Sequence, residues 1–262
     1  MFENFPKKRL PLSSEYIYIY DEHYKSNRNG TTAASSLSKK MENWLHHSVA
    51  KDRNSDLNEK TLEIGAGTLN QLDFEKNTGQ YDIIEPFKLL YQDSLNLDKV
   101  NNIYNDIQDI ITNLKLIDNN QVNIEMLPSG FYDRIISSAV LEHLLDLPLV
   151  IAYSCILLKD NGVFSASIPS QGRFLWTMAY KLTTGLEFKL KYKLNYDVIM
   201  NYEHVNTQQE IITVCKYFFD SIDKKLFGIT DELSLYTHLS CRKPNKEKAV
   251  DFINTRLKQE KE

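Results

Sequence analysis

The run Thr61-Leu62-Glu63-Ile64-Gly65-Ala66-Gly67 constrains this chain more than any other stretch. An apolar segment ends there in two glycines spaced by one residue. A buried strand that breaks into so tight a turn lets a ligand approach the backbone closely, because no Cβ stands in the way. Glu63 lies inside the apolar run, where a carboxylate needs a partner, and a ligand ammonium or hydroxyl group can supply one. A second short apolar run, Tyr81-Asp82-Ile83-Ile84-Glu85-Pro86, also ends in an acid. Glu85 follows Gly65 by about twenty residues, the interval at which an acidic side chain meets ribose hydroxyls in nucleotide-binding α/β folds.

Strand and helix patterns alternate on either side of this pair. Asn102–Tyr104 reads as a third strand with Asp106 just beyond its end, and Tyr132–Ser138 as a central fourth. A helix from Pro148 turns Leu149, Ala152, Tyr153, Ile156 and Leu157 inward and is stopped by Asn161-Gly162. Val163–Ile168 is the fifth strand, ended by Pro169. Ser36 to Ala50 has apolar residues at helical spacing. Thirteen residues separate Gly67 from Tyr81, so the first crossover helix is short, around Leu69–Phe74. Pro86 opens a helix with Phe87, Leu89, Leu90 and Leu95 as its apolar face. Thr112–Gln121 reads as helix and loop. Thr207-Gln208-Gln209-Glu210 is a capping box, and Ser221–Phe227 and Leu233–Arg242 fit closing antiparallel strands. The pattern predicts an α/β fold: a Rossmann-like doubly wound sheet of about seven strands, mostly parallel with an antiparallel closing strand, plus a helical cap insertion.

The expected organisation is an N-terminal arm and helix over 1–60, a cofactor-binding core over 61–169, the cap over 170–203, the rest of the core sheet over 204–243 and a charged, solvated tail over 244–262. The cap is rich in aromatics and lysines and reads equally as a substrate lid or as a packing element of a homodimer.

A formal net charge of −4 argues against a general nucleic-acid binder, whose footprint is basic. Cys155, Cys215 and Cys241 are far apart and lack close Cys/His spacing, so neither a disulfide framework nor a metal site is suggested and a cytoplasmic setting fits. The N-terminus has no apolar run of signal-peptide length, and no stretch approaches the roughly 20 apolar residues that cross a bilayer.

Taken together, the segments resemble the class I S-adenosylmethionine-dependent methyltransferases of the small-molecule branch. Glu63-Ile64-Gly65-Ala66-Gly67 looks like the first motif of that family, Glu85-Pro86 like its ribose acid and Asp106-Ile107 like its adenine-edge position. Asp133 to Leu144 looks like its strand-four motif, and Leu157 to Val163 like the segment before strand five. The likeness covers roughly residues 60–170. Leu69 stands where many members have a third glycine, and Asn70 where the Gly-x-Gly-x-x-Gly of NAD enzymes would need one.

The resemblance implies that Gly65, Ala66 and Gly67 approach the methionine part of S-adenosylmethionine and that Glu63 holds its ammonium. It implies that Glu85 takes the ribose hydroxyls, that Asp106 accepts from the adenine amino group and that Ser137, Ser138 and Ala139 line the sulfur side. His143, or His204 just after the cap, is the candidate general base for an acceptor that must lose a proton. Arg173 and Trp176 of the cap and Tyr24 of the arm are candidate substrate contacts. The expected function is methylation of a small molecule, such as a sugar or lipid-linked intermediate of cell-envelope polysaccharide synthesis. A cofactor-binding but inactive partner subunit, or a nucleotide-dependent oxidoreductase, is the alternative.

Overall fold

The computed structural model describes residues 2–20, 36–54, 58–76, 79–118, 121–122 and 130–259. Strands β1 (Thr61–Ile64), β2 (Tyr81–Ile84), β3 (Asn102–Tyr104), β6 (Tyr132–Ser138), β7 (Leu158–Pro169), β8 (Phe219–Gly228) and β9 (Ser234–Pro244) form one sheet in the order β3-β2-β1-β6-β7-β9-β8. β1, β2, β3, β6 and β7 are parallel, while β9 runs antiparallel to both β7 and β8. The chain order reverses between β1 and β6, which makes the C-terminal ends of these strands the topological switch point where open α/β sheets bind ligands.

Side chains alternate between the two sheet faces with period two. Leu62, Ile64, Ile84 and Ile135 join one core with helices α4 (Ile107–Asn113), α5 (Leu147–Leu157), α9 (Gln208–Phe218) and α10 (Lys246–Gln259). Tyr81, Ile83 and Ile136 face the other way, against Val49 of α2 (Ser36–Lys51), Leu69, Leu72 and Tyr91. The first crossover is a single 3-10 turn, Asn70–Asp73, as its length requires. It cannot cover this second face by itself, and α2, arriving from the N-terminal side, completes the cover.

Arg134 of β6 locks that arrangement. Its guanidinium pairs with Glu75 at 2.9 Å and donates to the Val49 carbonyl at 3.0 Å and the Asp52 carbonyl at 3.3 Å. Both charged side chains are essentially inaccessible to solvent.

The predicted strands and the Thr207 capping box are present, the box closing with Glu210. Residues 14–20 form a helix, α1, inside the stretch read as an irregular arm. Four readings need correction. The helix after Pro86 is only α3 (Lys88–Tyr91), and Phe87, Leu89 and Leu95 are exposed rather than packed. Residues read as helix and loop contain a small hairpin, β4 (Ile117–Asp118) with β5 (Gln121–Val122). Asn161-Gly162 does not cap α5. The helix ends at Leu157 because Leu158 is already extended, and β7 starts there. The tail is not simply solvated, because Ala249, Val250 and Ile253 of α10 are buried in the main core.

Between β7 and α9 the chain forms α6 (Phe174–Tyr180), a π-helical turn (Lys181–Gly185), α7 (Leu186–Tyr192) and α8 (Asp197–Glu203). Phe188 and Ile199 pack with Ile19 of α1 in a separate small cluster. Among the described residues, no helix is long and apolar enough to cross a membrane.

The buried pair makes a direct prediction. Glu75→Ala removes the closer, doubly bonded partner of the buried Arg134 guanidinium and leaves it only Glu59 at 3.8 Å, so urea unfolding should show a loss of up to about 3–5 kcal/mol. A loss under about 1 kcal/mol, the value of an exposed pair, would mean that solvent reaches the site.

Candidate active site

A cleft of about 590 Å³ opens at the C-terminal ends of β1, β2 and β6. Its floor includes Gly65, Glu85, Asp106, Ile107 and Ala139, which the sequence had assigned to one site from four separate segments. Pro86, Phe87 and Leu90 also line it. Phe87 is exposed, then, because it borders the cleft, whereas Leu89 and Leu95 do not line it.

Glu85 is the fixed point of this floor. One carboxylate oxygen accepts from the Gly67 N–H at 2.9 Å and the other from the Phe87 N–H at 2.9 Å. The acid is 5% exposed, and each oxygen keeps a lone pair for a further donor. Gly67 at φ +53 presents its N–H to the carboxylate. Gly65 has φ +70, and a Cβ there would lie 2.5 Å from a Val140 methyl group. The turn thus excludes side chains on two independent grounds.

Leu69 explains how the third glycine is dispensed with. Its φ of 65 and ψ of 26 are those a glycine would adopt. The left-handed conformation costs roughly 1–2 kcal/mol. Complete burial of the leucine side chain offsets this by about 1.5–3 kcal/mol.

Asp106 caps α4, accepting from the Gln108 N–H at 2.9 Å, while Asp109 receives the Asp106 N–H at 3.2 Å. Ala139 has φ 53 and its N–H bonds the Ser167 carbonyl at 2.8 Å, so the chain turns sharply off β6 into the cleft wall.

Other candidates lie elsewhere. Glu63 does not line the cleft. It points to the α2 face of the sheet, 2% exposed, and accepts from the Tyr81 hydroxyl at 2.8 Å. Burial pushes its pKa from the ordinary 4.5 up to about 8, against the opposing effect of the Tyr81 bond. Ala66 is buried in the core on that face. Ser137 is buried, and its Oγ has no hydrogen-bond partner among the described residues. Ser138 Oγ donates to Gln71 Oε1 at 3.3 Å.

The other end of the cleft is built by chain segments far apart in sequence. His143 lines it together with Arg9, Tyr20, Tyr202 and Glu203. Arg9 donates to the carbonyls of Tyr202 and His143 at 3.0 and 3.1 Å. Tyr20 donates to the Glu203 carboxylate. The arm does reach the cleft, but through Arg9 and Tyr20; Tyr24 lies outside the described residues. His204 stands against His143, ring centroids 4.8 Å apart, and stacks on Trp176. Trp176 therefore supports a histidine rather than forming the cleft wall. Arg173 bonds Gln208, Gln209 and Glu232, a clamp between α6, α9 and the β8–β9 turn, and does not line the cleft.

Burial opposes charge on His143, but its bond to Glu203 and the nearby Glu142 outweigh that and hold its pKa above the ordinary value. Burial, then His143, push His204 down to about 4, so it is neutral at physiological pH. Glu142 is 1% exposed, and burial raises it to about 7. The sequence reading quoted Glu142 but gave it no role. Its adjacency to His143 was the available signal.

The backbone as a whole matches known structures. It superimposes on the CurJ carbon methyltransferase with a TM-score of 0.52 at 15% identity, over 88% of this chain and 61% of that one. This chain thus spans about three-fifths of the length of CurJ. A SAM-dependent methyltransferase from Thermotoga maritima gives 0.52 at 12% identity, over 87% of this chain and 98% of that one. BpumL, the plantazolicin methyltransferase solved with SAH, gives 0.51 at 12% identity, over 87% and 93%. The chain has the class I methyltransferase fold. No family model matches it, and no characterised protein matches it in sequence.

Glu63 supplies a test of this geometry. An acid whose folded-state pKa lies above its unfolded one binds extra protons when folded between the two values. It therefore costs no stability below about 4.5 and progressively more as pH rises towards 8. Glu63→Gln keeps an acceptor for Tyr81 and removes the titration. It should be more stable than the parent by about 2–3 kcal/mol at pH 7, with the gap closing near pH 4. Thermal melts across that range that show a constant difference would contradict the buried position of Glu63.

Proposed function

We propose that this chain is an S-adenosylmethionine-dependent methyltransferase acting on a small molecule. The observation that carries the reading is Glu85, held at the end of β2 by the Gly67 and Phe87 N–H groups with its remaining lone pairs in a cleft of about 590 Å³. The size suits a nucleoside-bearing ligand, since small-molecule sites run about 300–1,000 Å³. The lining suits its chemistry. Glu85 and Asp106 offer acceptors to hydroxyl and amino groups, and Phe87, Leu90 and Ile107 offer apolar surface for a base.

When bound, the cofactor supplies a methyl group on a sulfonium, which an acceptor nucleophile displaces. The chain's own contribution is chiefly alignment, which can lower a barrier by roughly 7–11 kcal/mol. Glu85 orients the ribose, Asp106 and Ile107 the adenine, and the Gly65–Gly67 turn and Ala139 the methionine end. In this assignment Glu63 acts one step back, through the turn it underlies. The acceptor enters beside His143, Tyr202 and Glu203. If it is a hydroxyl, its proton leaves towards the His143–His204 pair. A sugar or lipid-linked precursor of a cell-envelope polysaccharide is the acceptor class to try first.

Calorimetric titration with S-adenosylhomocysteine and with NAD tests the cofactor. Heat with S-adenosylhomocysteine alone is expected; heat with NAD alone would make the chain an oxidoreductase and end this proposal. Glu85→Ala should weaken S-adenosylhomocysteine binding by about 1–3 kcal/mol, whereas unchanged affinity would remove Glu85 from the site. Release of S-adenosylhomocysteine in a screen of sugar precursors would identify the acceptor. Binding without turnover on any acceptor would instead mark an inactive partner subunit.

A further inference from the structure

Glu142, His143 and His204 each offer one ligand-type atom, and these atoms lie within 4.8 Å of one another. The hydrogen bonds around them fix which atoms these are. His143 Nδ1 lies 2.9 Å from the Glu203 carbonyl oxygen, which can only accept, so Nδ1 carries the proton and Nε2 presents a lone pair. His204 Nδ1 lies 3.3 Å from Gln171 Oε1. That same oxygen receives the Trp176 indole N–H at 2.5 Å, and indole nitrogen only donates, so it is the amide oxygen. His204 Nδ1 must then be the donor, and its Nε2 also presents a lone pair. The third member is the Glu142 carboxylate. Its Oε1 is 3.8 Å from His143 Nε2, and its buried Oε2 has no hydrogen-bond partner among the described residues.

Two imidazole nitrogens and a carboxylate, one of whose oxygens is buried without a hydrogen-bond partner among the described residues, repel one another as bare acceptors. A shared proton or a bound cation relieves that repulsion. The outer contacts have the form that orients metal ligands: each histidine donates its second nitrogen to an oxygen acceptor, which sets tautomer and ring direction. Asn206 braces the turn that carries the first two residues, donating to the Leu141 and Leu144 carbonyls at 2.9 and 2.7 Å, while its own N–H bonds the Glu142 carbonyl at 3.0 Å. Trp176 packs flat against His204. Tyr236 and Glu203 are the other titratable groups that face the cluster.

We propose that Glu142, His143 and His204 form a divalent transition-metal site at the acceptor end of the cleft. Two nitrogens and one carboxylate suit zinc and its neighbours rather than magnesium. Metal–ligand bonds of about 2.0–2.2 Å place tetrahedral ligand atoms roughly 3.4 Å apart, so the set closes inward slightly on binding. Three protein ligands leave a position open, and because His143 lines the cleft, that position faces it. Such a site departs from the sequence expectation of no metal. As a metal site it stands without the methyltransferase reading. On that reading, the open position would take an acceptor hydroxyl and lower its pKa, the proton would leave to solvent in the cleft, and the two histidines would serve as ligands in place of the base role given above.

The test uses the full chain, stripped with chelator and then dialysed against Zn²⁺ or Co²⁺. Metal content by mass spectrometry should reach one ion per chain, and the cobalt form should show visible ligand-field bands. Glu142→Gln keeps the side-chain shape and should weaken binding about 100-fold, as should His204→Ala. Gln171→Leu, which touches no ligand atom, should cost about 10-fold. Circular dichroism melts identify any variant that fails to fold, and the parent titration decides the matter without them. Less than one ion per parent chain, or one ion retained at full affinity in folded Glu142→Gln, would overturn the site. S-adenosylhomocysteine titrations on the same samples separate the two proposals. Metal uptake without cofactor binding keeps the site and removes the methyltransferase reading; cofactor binding without metal uptake does the reverse.

Discussion

The guanidinium of Arg134 holds together parts of the chain that local sequence would leave apart. It sits on the central strand beside β1 and reaches back to α2 and to Glu75 beyond the 3-10 turn. A crossover of thirteen residues has no room for a full helix after the glycine turn, so one sheet face depends on a helix from outside the βα repeat. A buried charge pair tolerates little displacement, because either partner alone in the interior costs several kcal/mol. The Gly65–Gly67 turn is therefore anchored between a pinned segment behind it and Glu85 in front.

The cleft follows from the same economy. In a parallel sheet every strand ends on one edge, so a residue just past each strand meets its counterparts without further design. Glu85, Asp106 and Ala139 come together in this way. Glu85 also does structural work, since its bonds to the Gly67 and Phe87 N–H groups shape the turn that borders it. The end of the cleft beside His143 has a different origin. It joins the turn after β6 to α8 and to the arm at Arg9 and Tyr20, and the matches to methyltransferase structures speak to the shared backbone and not to these side chains.

Much of this was legible beforehand, for identifiable reasons. β1, β2 and β6 have the predicted bounds, because buried parallel strands are short apolar runs with sharp ends, and the exposed edge strand β3 has them too. The Thr207–Glu210 box was readable because its partners are three residues apart. The errors occurred where the rule applied was local and tertiary contact overrode it. Asn161-Gly162 is a good helix stop by composition, yet Leu158 had already left the helix to pair with Tyr132. Leu89 and Leu95 suit a buried helix face, but the helix is a single turn and both are exposed. Glu63 was assigned to the ligand by position in a motif. The pleat sends it to the opposite face, where Tyr81 meets it.

By itself, the sequence determined the strands, the mostly parallel sheet they build and the edge at which glycines and acids converge, since period-two burial, turn chemistry and segment length are properties of neighbouring residues. Only the tertiary structure decided which acid faces the cleft and which lies behind it. It alone brought His204 beside Glu142 and His143 and set both imidazole tautomers through a carbonyl and an amide. Those contacts join residues 33 and 60 positions apart in the chain, and no local pattern encodes so distant a meeting.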